Sequence, residues 1–400
     1  MTATHSIAGT VLRAATRPIA TRHGTFTLHV CRDLARRTYL LALALGDVTT
    51  PAPLLARVHS SCVTSEAYGG CDCDCSEQLD AALAAIAAAG RGVLFYLDQE
   101  GRGAGFAAKV RDRMLVQASR GRLNTFDAYA QMGLADDLRS YEAVAGARTL
   151  LGITAPLTLL TNNPQKLATL ADLAVPIAGA TGLALPSSPF NRHYLAAKAG
   201  AGHDLAIGPD GVEADPPEPV EAIAAQALPG YASLVRIGAY WLPVRIRDGG
   251  DPTPRWFRLH AYADLALGRE RVVLTYGDPG ERPVPLRLQR EALLERIPGR
   301  ERGLEQRRWS ATVRAFLADG AGIAIMLSEE SGAEPLGENG PPPRRDLEAS
   351  AALARHHLAG CGATPLLDGA TASAADGERM SALSAAGVTL GPQRFLRVDR

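Results

Sequence analysis

Three cysteines, Cys62, Cys73 and Cys75, follow the spacing C-x10-C-x-C. Thiolates bind zinc strongly, and three of them leave one position of a tetrahedral ion open for water. The packing of small hydrophobic residues does not explain two cysteines only one residue apart. The spacing therefore predicts one hydrolytic zinc site in the chain. Cys71 leaves alternatives open, because it could serve with Cys73 instead of another cysteine or close the site as a fourth ligand.

Four polar segments have the composition of ligand-binding loops: Arg57–Ser61, Tyr96–Gly103, Asp136–Arg139 and Thr161–Lys166. Arginine, histidine and hydroxyl groups hold phosphate through charge-assisted hydrogen bonds, and glycine lets a ligand approach the backbone. Glu100 could accept two hydrogen bonds from the edge of a guanine base. The last segment follows a strand and precedes a helix, where phosphate meets free N–H groups. Each segment taken alone is also typical of a solvated loop or a helix cap.

The elements around these segments alternate between strand and helix periodicity. Strands are predicted over Thr25–His29, Tyr39–Leu45, Gly92–Leu97 and Leu157–Leu160. Helices are predicted over Ser76–Ala89, with Ser76 as the N-cap, and over Lys166–Leu173. This alternation predicts an α/β fold in which helices flank a mixed sheet.

The composition limits the class of protein. The chain has 400 residues, 46% hydrophobic and 21% charged, with a formal net charge of zero. These totals allow two domains and give no sign of a nucleic-acid or membrane partner. Residues 1–21 lack a secretory pattern, and the crowding of four cysteines between 62 and 75 favours a metal over disulfides. We therefore expect a cytoplasmic protein.

The chain also contains an internal repeat. Residues 26–47 and 257–278 align without a gap and agree at nine of 22 positions. Chance would give about one or two such agreements, so common descent of the two halves is the better explanation. Leu170–Ile177 likewise resembles Leu383–Leu390. The repeat predicts two tandem domains, 1–206 and 225–400, joined by a linker at 207–224.

The second copy has lost the groups that could react. Ala292, Gly303 and Glu305 stand opposite the three cysteines, and Glu329–Gly332 stands opposite Gln99–Arg102. A segment rich in glycine and proline, Gly332–Pro343, replaces much of residues 103–139. We expect residues 225–400 to be non-catalytic and to serve folding or assembly.

Residues of roughly 10 to 205 resemble the GTP cyclohydrolase II family, which opens the guanine ring of GTP in riboflavin synthesis. The motifs occur together and in order: Arg57-Val58-His59-Ser60-x-Cys62 and the cysteine spacing, Gln78-Leu79, Gln99–Arg102, Thr125, Gly133, Asp137–Arg139, Thr161–Pro164, and Asn191-x-His193-Tyr194-Leu195-x-x-Lys198 followed by Gly202-His203.

The resemblance implies a role for each matching residue. Zinc on the three cysteines would activate water for attack at guanine C8, and a second hydrolysis would release formate. Arg139 would attack the α-phosphorus and expel pyrophosphate, with Asp137 as base. Mg²⁺ would accompany the triphosphate. Contacts to GTP or a related purine nucleotide are implied for Arg57, His59, Ser60, Gln78, Glu100, Gly101, Arg102, Thr125, Thr161 and Lys166.

Two departures from the family pattern bear on the product. Ser61 stands where the family has glutamate, and Arg113 stands at the family's catalytic tyrosine, two residues after Arg111. Members without this tyrosine are implied to stop after ring opening, and a charged arginine cannot replace a phenol as proton donor. Two outcomes stay open: a diaminopyrimidine ribosyl phosphate plus formate, or a formamidopyrimidine nucleotide.

Two further expectations follow from the resemblance. Because its members are homodimers, it implies an intrachain pseudo-dimer of the two halves or a homodimer of the whole chain. The alternative to an enzyme is a regulatory protein that binds a purine nucleotide without turnover, since the tyrosine and an entire half have lost their reactive groups.

Overall fold

The first half forms one eight-stranded sheet flanked by helices. In this computed structural model its elements are β1 (Ser6–Ala8), β2 (Val11–Thr21), β3 (Gly24–Asp33), β4 (Thr38–Leu45), β5 (Leu54–Ser60), α1 (Val63–Glu66), α2 (Cys75–Ala88), β6 (Gly92–Leu97), a 3-10 turn (Gly101–Gly103), α3 (Phe106–Ala118), α4 (Thr125–Gln131), α5 (Glu142–Leu150), β7 (Leu157–Leu160), α6 (Pro164–Asp172), β8 (Ile177–Thr181) and α7 (Arg192–Gly200).

The second half repeats the pattern with fewer helices among its described residues. Its elements are β9 (Gln226–Leu228), β10 (Tyr231–Val244), β11 (Arg255–Asp264), β12 (Arg269–Tyr276), β13 (Val284–Glu291), a 3-10 turn (Leu293–Arg296), α8 (Leu304–Asp319), β14 (Gly322–Ser328), α9 (Arg344–Leu358), β15 (Ala363–Asp368), α10 (Ala374–Ala385) and β16 (Arg394–Leu396).

The structure describes residues 6–205, 207, 213–246, 253–291, 293–297, 304–328, 344–358, 360–369 and 372–396. Several positions used in comparing the two copies lie outside these ranges: Ala292, Gly303 and the segments Glu329–Gly332 and Gly332–Pro343. Glu305 is described and belongs to the first turn of α8. No helix in these ranges combines the length and the apolar character that a membrane crossing requires.

The two sheets have the same strand order. The first runs β1-β2-β3-β4-β6-β5-β7-β8, and the second runs β9-β10-β11-β12-β14-β13-β15-β16. In each sheet the hairpin strands pair antiparallel, and the last four strands in that order pair parallel. The prediction of an α/β fold with mixed sheets is confirmed.

The register of the sheets follows the sequence repeat. Leu28 pairs with Leu43 in the first sheet, and their counterparts Leu259 and Leu274 pair in the second. Parallel pairing also recurs at the far end, where Leu157 lies opposite Ile177 and Ala363 lies opposite Leu390. The weak likeness between Leu170–Ile177 and Leu383–Leu390 therefore marks equivalent places in the two sheets.

Helix α2 begins one residue before the predicted N-cap, so the assignment of that role to Ser76 is wrong. Asp74 occupies the N-cap position, and Cys75 is the first helical residue. The N–H of Ser76 donates to Ser65 Oγ at 3.2 Å, which satisfies one of the free donors at the helix start. A side chain of α1 therefore bonds the residue that had been predicted as the local cap.

The two halves exchange equivalent segments across their interface. Val63 of α1 and Tyr68 lie in a core cluster of the second half that includes Phe257 of β11. Leu294 and Ile297, from the 3-10 turn of the second half, lie in a core cluster of the first half. Because the exchange runs in both directions, each half completes the other's apolar core.

Candidate active site

A cavity of about 310 Å³ lies at the carboxyl ends of β5, β6 and β7. These strands are parallel neighbours, so their carboxyl ends meet at one edge of the sheet, where open α/β sheets bind ligands. Every candidate residue predicted from the sequence lines this cavity: Arg57, His59, Ser60, Cys62, Cys73, Cys75, Gln78, Glu100, Gly101, Arg102, Thr125, Asp137, Arg139, Thr161 and Lys166.

The cysteines form a compact group of thiols. The sulfur atoms of Cys62, Cys73 and Cys75 all lie within 4.8 Å of one another, and Cys62 Sγ is 3.5 Å from Cys73 Sγ. A tetrahedral zinc ion with Zn–S distances of about 2.3 Å separates its sulfur ligands by roughly 3.8 Å, so the group fits such an ion. Cys71 lies outside this group, because its thiol donates to the carbonyl of Gly69 at 3.5 Å.

A buried lysine accompanies the thiols. Lys109 Nζ lies 3.1 Å from Cys62 Sγ and donates to Glu100 Oε1 at 2.7 Å. Hydrogen bonds from Cys73 and Cys75, together with the charge of Lys109, lower the pKa of Cys62 well below its usual range. Burial opposes the charged form of Lys109, but the charges of Cys62 and Glu100 raise its pKa well above the usual value. The lysine is therefore a fixed positive charge beside the thiols.

Glu100 is engaged by the protein on both oxygens. Besides the bond from Lys109, its Oε2 accepts the N–H of Val63 at the start of α1 at 2.7 Å. The N–H of Gly101 also donates to Oε1 at 3.3 Å, so three of the roughly four lone-pair positions of the carboxylate are used within the protein. Glu100 consequently joins the loop after β6, helix α3 and the segment after β5.

His59 belongs to a buried hydrogen-bonded network. Its Nε2 lies 2.8 Å from Glu66 Oε1, and the hydroxyl of Tyr96 donates to Glu66 Oε2 at 2.6 Å. Burial lowers the pKa of His59. A neutral ring that donates from Nε2 to the carboxylate carries an acceptor at Nδ1, and this atom has no partner among the described residues. Nδ1 is therefore free to accept a hydrogen bond.

Arg57 begins a chain of contacts along one wall. Its Nη1 donates to the carbonyl of Leu160 at 2.7 Å, and its Nη2 donates to Gln78 Oε1 at 2.5 Å. Gln78 in turn donates to Asp74 at 2.5 Å, and Lys198 donates to the other oxygen of Asp74 at 3.2 Å. Burial lowers the pKa of Arg57 to about 10, so the guanidinium stays charged at neutral pH.

The opposite wall holds a bidentate ion pair. Arg139 Nε and Nη2 donate to the two oxygens of Asp137 at 2.8 and 2.5 Å. Burial opposes the charged carboxylate, but the hydrogen bonds and charge of Arg139 outweigh it and lower the pKa of Asp137. Gly103 brings this wall close, since a Cβ on it would lie 2.5 Å from the carbonyl oxygen of Leu138. Its φ of +84° also favours glycine.

Three further residues predicted from the sequence, Arg102, Lys166 and Thr125, are each held by a different partner. The guanidinium of Arg102 lies 4.0 Å from the centre of the Phe126 ring, a cation–π contact. Lys166 Nζ donates to the carbonyl of Val58 at 2.8 Å, and burial lowers the pKa of this lysine well below its usual value. Thr125 Oγ1 donates to Asp112 at 2.9 Å. The side chains of Arg102, Thr125 and Lys166 thus line the cavity while bonded to different partners.

Arg113, which aligns in sequence with the family's tyrosine, lines the cavity. Its Nε lies 3.1 Å from Asp72 Oδ2, and its guanidinium lies 4.2 Å from the centre of the Tyr194 ring. Despite the opposing effect of burial, the charge of Asp72 raises the pKa of Arg113. Arg111 points elsewhere and donates to the carbonyl of Ile237 in the second half at 2.9 Å.

Sequence reasoning missed several side chains of the cavity. Lys109, Asp112 and Arg113 lie three and four residues apart, so they share one face of α3, and a polar stripe on a helix is the signal that could have found them. Tyr194, Lys198 and His203 belong to the closing family motif but had no role assigned. Burial and the charge of Lys198 lower the pKa of His203 to about 4.

The fold and the site define an α/β protein with a thiol-rich candidate metal centre. A family model described as GTP cyclohydrolase II matches residues 12–181. GTP cyclohydrolase-2 of Pseudomonas putida is 41% identical over 196 residues, which cover 49% of this chain and 94% of that protein. The protein of the same name from Hahella chejuensis is 40% identical over 193 residues, with 48% and 91% covered. Through its first half, the chain belongs to the GTP cyclohydrolase II family.

A comparison with solved structures gives a weaker likeness. The crystal structure of RibBX, a two-domain 3,4-dihydroxy-2-butanone 4-phosphate synthase from A. baumannii, is 19% identical with a TM-score of 0.25. The match covers 44% of this chain and 41% of that one. A likeness of this size supports no argument about fold or function.

Removing Arg113 should destabilise the protein strongly. Arg113→Met would leave the buried carboxylate of Asp72 without its counter-charge, which typically costs about 3–5 kcal/mol. Urea unfolding would measure the loss, and the double variant Arg113→Met/Asp72→Asn should recover part of it. The exposed pair Arg22–Asp80 provides the control, because Arg22→Met should cost less than about 1 kcal/mol. Equal losses of unfolding free energy in Arg113→Met and Arg22→Met would contradict the buried pairing of Arg113 with Asp72.

The pair of Asp137 and Arg139 should make stability depend on acid pH. The folded pKa of Asp137 is depressed, so its stabilisation is complete above the usual value near 4 and is lost as pH falls through the folded pKa. Asp137→Asn should therefore be less stable than the parent at pH 7 and equal to it well below pH 4. Urea unfolding over that pH range would measure the difference. An Arg139→Met background should remove the pH dependence, and a difference that is constant with pH would contradict the pairing.

Proposed function

We propose that the first half is a zinc-dependent cyclohydrolase that opens the imidazole ring of GTP at C8 and releases pyrophosphate. The observation that supports this proposal is that a group of thiols and a carboxylate–guanidinium pair line the same cavity. The three thiols of Cys62, Cys73 and Cys75 face the same 310 Å³ space as the Asp137–Arg139 pair. Membership of the GTP cyclohydrolase II family supports GTP as the substrate.

The cysteines are the proposed ligands, and the protein supplies their surroundings. A zinc ion held by three thiolates would provide the Lewis acidity that makes water nucleophilic near neutral pH. Lys109 would offset the negative charge of the thiolates, because it lies 3.1 Å from Cys62 Sγ and is buried. Glu100 fixes Lys109 in this position through the 2.7 Å hydrogen bond. The acceptor at His59 Nδ1 would orient a donor of the base or of water.

The cations of the cavity are the proposed triphosphate site. Arg57, Arg102 and Lys166 would contact phosphate oxygens, and Mg²⁺ would enter with the triphosphate, as metal ions commonly bridge phosphate groups. A nitrogen of Arg139 would attack the α-phosphorus while the bond to pyrophosphate breaks. Asp137 would accept the guanidinium proton, since its oxygens already lie 2.5 and 2.8 Å from the nitrogens of Arg139. Water would later hydrolyse the phosphorus–nitrogen bond.

We further propose that the reaction stops at the formamidopyrimidine nucleotide. Arg113 fills the tyrosine position with a guanidinium that stays charged and is paired with Asp72, so it offers no neutral proton donor for the second hydrolysis. The competing outcome, complete conversion to the diaminopyrimidine with release of formate, is favoured by Tyr194. Its ring lines the cavity and stacks on Arg113, so a phenol is present nearby.

The second half, residues 225–400, is proposed to be non-catalytic. Arg287 repeats the contact of Arg57, donating to the carbonyl of Leu366 at 3.1 Å, but its Nη2 pairs with Asp368 at 2.7 Å. Arg308 also pairs with Asp368, at 3.1 Å. Asp368 thus pairs with both of these arginines. The described residues of this half contain no second group of metal-ligating side chains. The family's homodimers and the reciprocal interface support an intrachain pseudo-dimer across the linker at 207–224.

The product should identify the reaction. Zinc-loaded protein incubated with GTP and Mg²⁺ is expected to yield pyrophosphate and a monophosphate one water heavier than guanosine monophosphate, without formate. Mass spectrometry and a formate assay would measure both. Formate in equal amount to a diaminopyrimidine would establish the complete reaction instead. Nucleotide binding without turnover would favour a regulatory binding protein.

The choice of cysteines gives a matched test of the metal site. Cys73→Ser should lose bound zinc and turnover, because two thiolates hold the ion much more weakly than three. Cys71→Ser should keep both, since its side chain contacts the carbonyl of Gly69 and lies outside the thiol group. Zinc content by elemental mass spectrometry and turnover of GTP would be measured on the two variants side by side. Loss of zinc in Cys71→Ser would contradict the proposed ligand set.

A further inference from the structure

The loop that carries two of the three candidate ligands, Cys73 and Cys75, is paired with the second half of the chain. We call residues 68–75 the metal loop. Gly70 of this loop forms an antiparallel β-bridge with Val244 at the end of β10. The N–H of Cys71 donates to the carbonyl of Pro243 at 2.8 Å. The backbone of the metal loop therefore pairs through a short β-bridge with a strand of the other half.

Two more hydrogen bonds extend this pairing. The N–H of Arg245 donates to the carbonyl of Gly69 at 2.9 Å. The indole N–H of Trp309 in α8 donates to the carbonyl of Tyr68 at 2.9 Å, and the Trp309 side chain is buried. Buried backbone groups need partners, so these contacts satisfy the loop where it leaves α1 and approaches Cys73.

The metal loop approaches β10 too closely for side chains. A Cβ on Gly69 would lie 2.6 Å from the carbonyl oxygen of Arg245, and a Cβ on Gly70 would lie 2.8 Å from Leu242 Cδ1. The φ of Gly69 is +77°, which also disfavours other residues. The second half therefore explains Gly69, whereas both halves confine Gly70, because a Cβ on Gly70 would also lie 2.7 Å from the carbonyl oxygen of Thr64.

Helix α3, which carries Lys109 and Arg113, is held by the same strand. Arg111 donates to the carbonyl of Ile237 at 2.9 Å. Gln117 both donates to the carbonyl of Trp241 at 2.7 Å and accepts its N–H at 2.8 Å. One strand of the second half thereby fixes the relative position of the metal loop and the helix that faces it.

We propose that the second half is a positioning element of the active site, in which β10 and Trp309 hold the metal loop so that the three thiols converge. This inference rests on the proposed metal function, but it concerns residues that contact neither metal nor substrate. It assigns a specific role to the half that lacks the cysteines. The site is then built by both halves, although all of its candidate ligands come from one.

Two glycine substitutions in the full chain test the proposal. Gly69→Ala introduces the clash with β10, while Gly90→Ala has a similar positive φ, +68°, with nothing within 4 Å of its Cβ. Substitution of residues that orient metal ligands typically weakens metal affinity by about 10-fold to 100-fold. Gly69→Ala should therefore weaken zinc binding by at least about 10-fold, and Gly90→Ala should leave it unchanged. Competition with a chelator would measure both affinities.

Hydrogen exchange of the zinc-free protein gives an independent reading. The amides of Cys71 and Arg245 should be protected in the parent and in Gly90→Ala but exchange faster in Gly69→Ala. If the parent binds no zinc, the proposed metal function fails, while the exchange rates still decide whether the second half holds the loop. Unprotected amides in the parent, or equal zinc affinity in the two variants, would overturn the proposal.

A second pair of variants covers the case in which Gly69→Ala fails to fold. Trp309→Phe removes the donor to the carbonyl of Tyr68, whereas Trp241→Phe removes an indole N–H that has no partner among the described residues. Trp309→Phe should weaken zinc binding and raise the alkylation rate of the thiols in the zinc-free protein relative to Trp241→Phe. Thermal unfolding would confirm that both are folded. Equal zinc affinity and equal alkylation rates in this pair would reject the role of α8.

Discussion

Three thiols share a small volume at the end of β5, and their negative charge on deprotonation has to be balanced inside the protein. Lys109 provides that balance from α3, and Glu100 holds the lysine while also binding the start of α1. Because burial makes an uncompensated charge costly, the positions of the cysteines, α3 and the loop after β6 depend on one another. The Arg113–Asp72 pair applies the same constraint between α3 and the metal loop.

The local parts of this arrangement could be predicted from the sequence. Cysteine spacing, glycine-containing loops and strand ends are short-range signals, and the three cysteines line one cavity with residues from each of the four polar segments. Lys109 and Glu66 were missed because their partners, Cys62 and His59, lie on other elements, and only the folded chain brings them together. The wrong N-cap at Ser76 has the same origin, since its N–H bonds to a distant side chain.

The repeat could be recognised in the sequence, whereas the packing of the second copy against the site of the first could not. Positions shared by the two copies predicted two tandem domains, and the two sheets have the same strand order. Nothing in the sequence around Gly69 indicates that the backbone of the other half lies against this residue. Sequence periodicity reports which face of an element is apolar, but it does not report which element covers that face.

The reciprocal exchange of Val63 and Leu294 has a consequence for how the molecule can diverge. In an assembly of identical chains, every substitution at a two-fold interface occurs on both sides at once, so each change must be tolerated twice. Joining the copies in one chain removes that coupling. One half can then specialise in supporting the site while the other half retains its reactive groups. Because both halves belong to one chain, they are always made in a one-to-one ratio. The difference between the two halves is then encoded in a single chain.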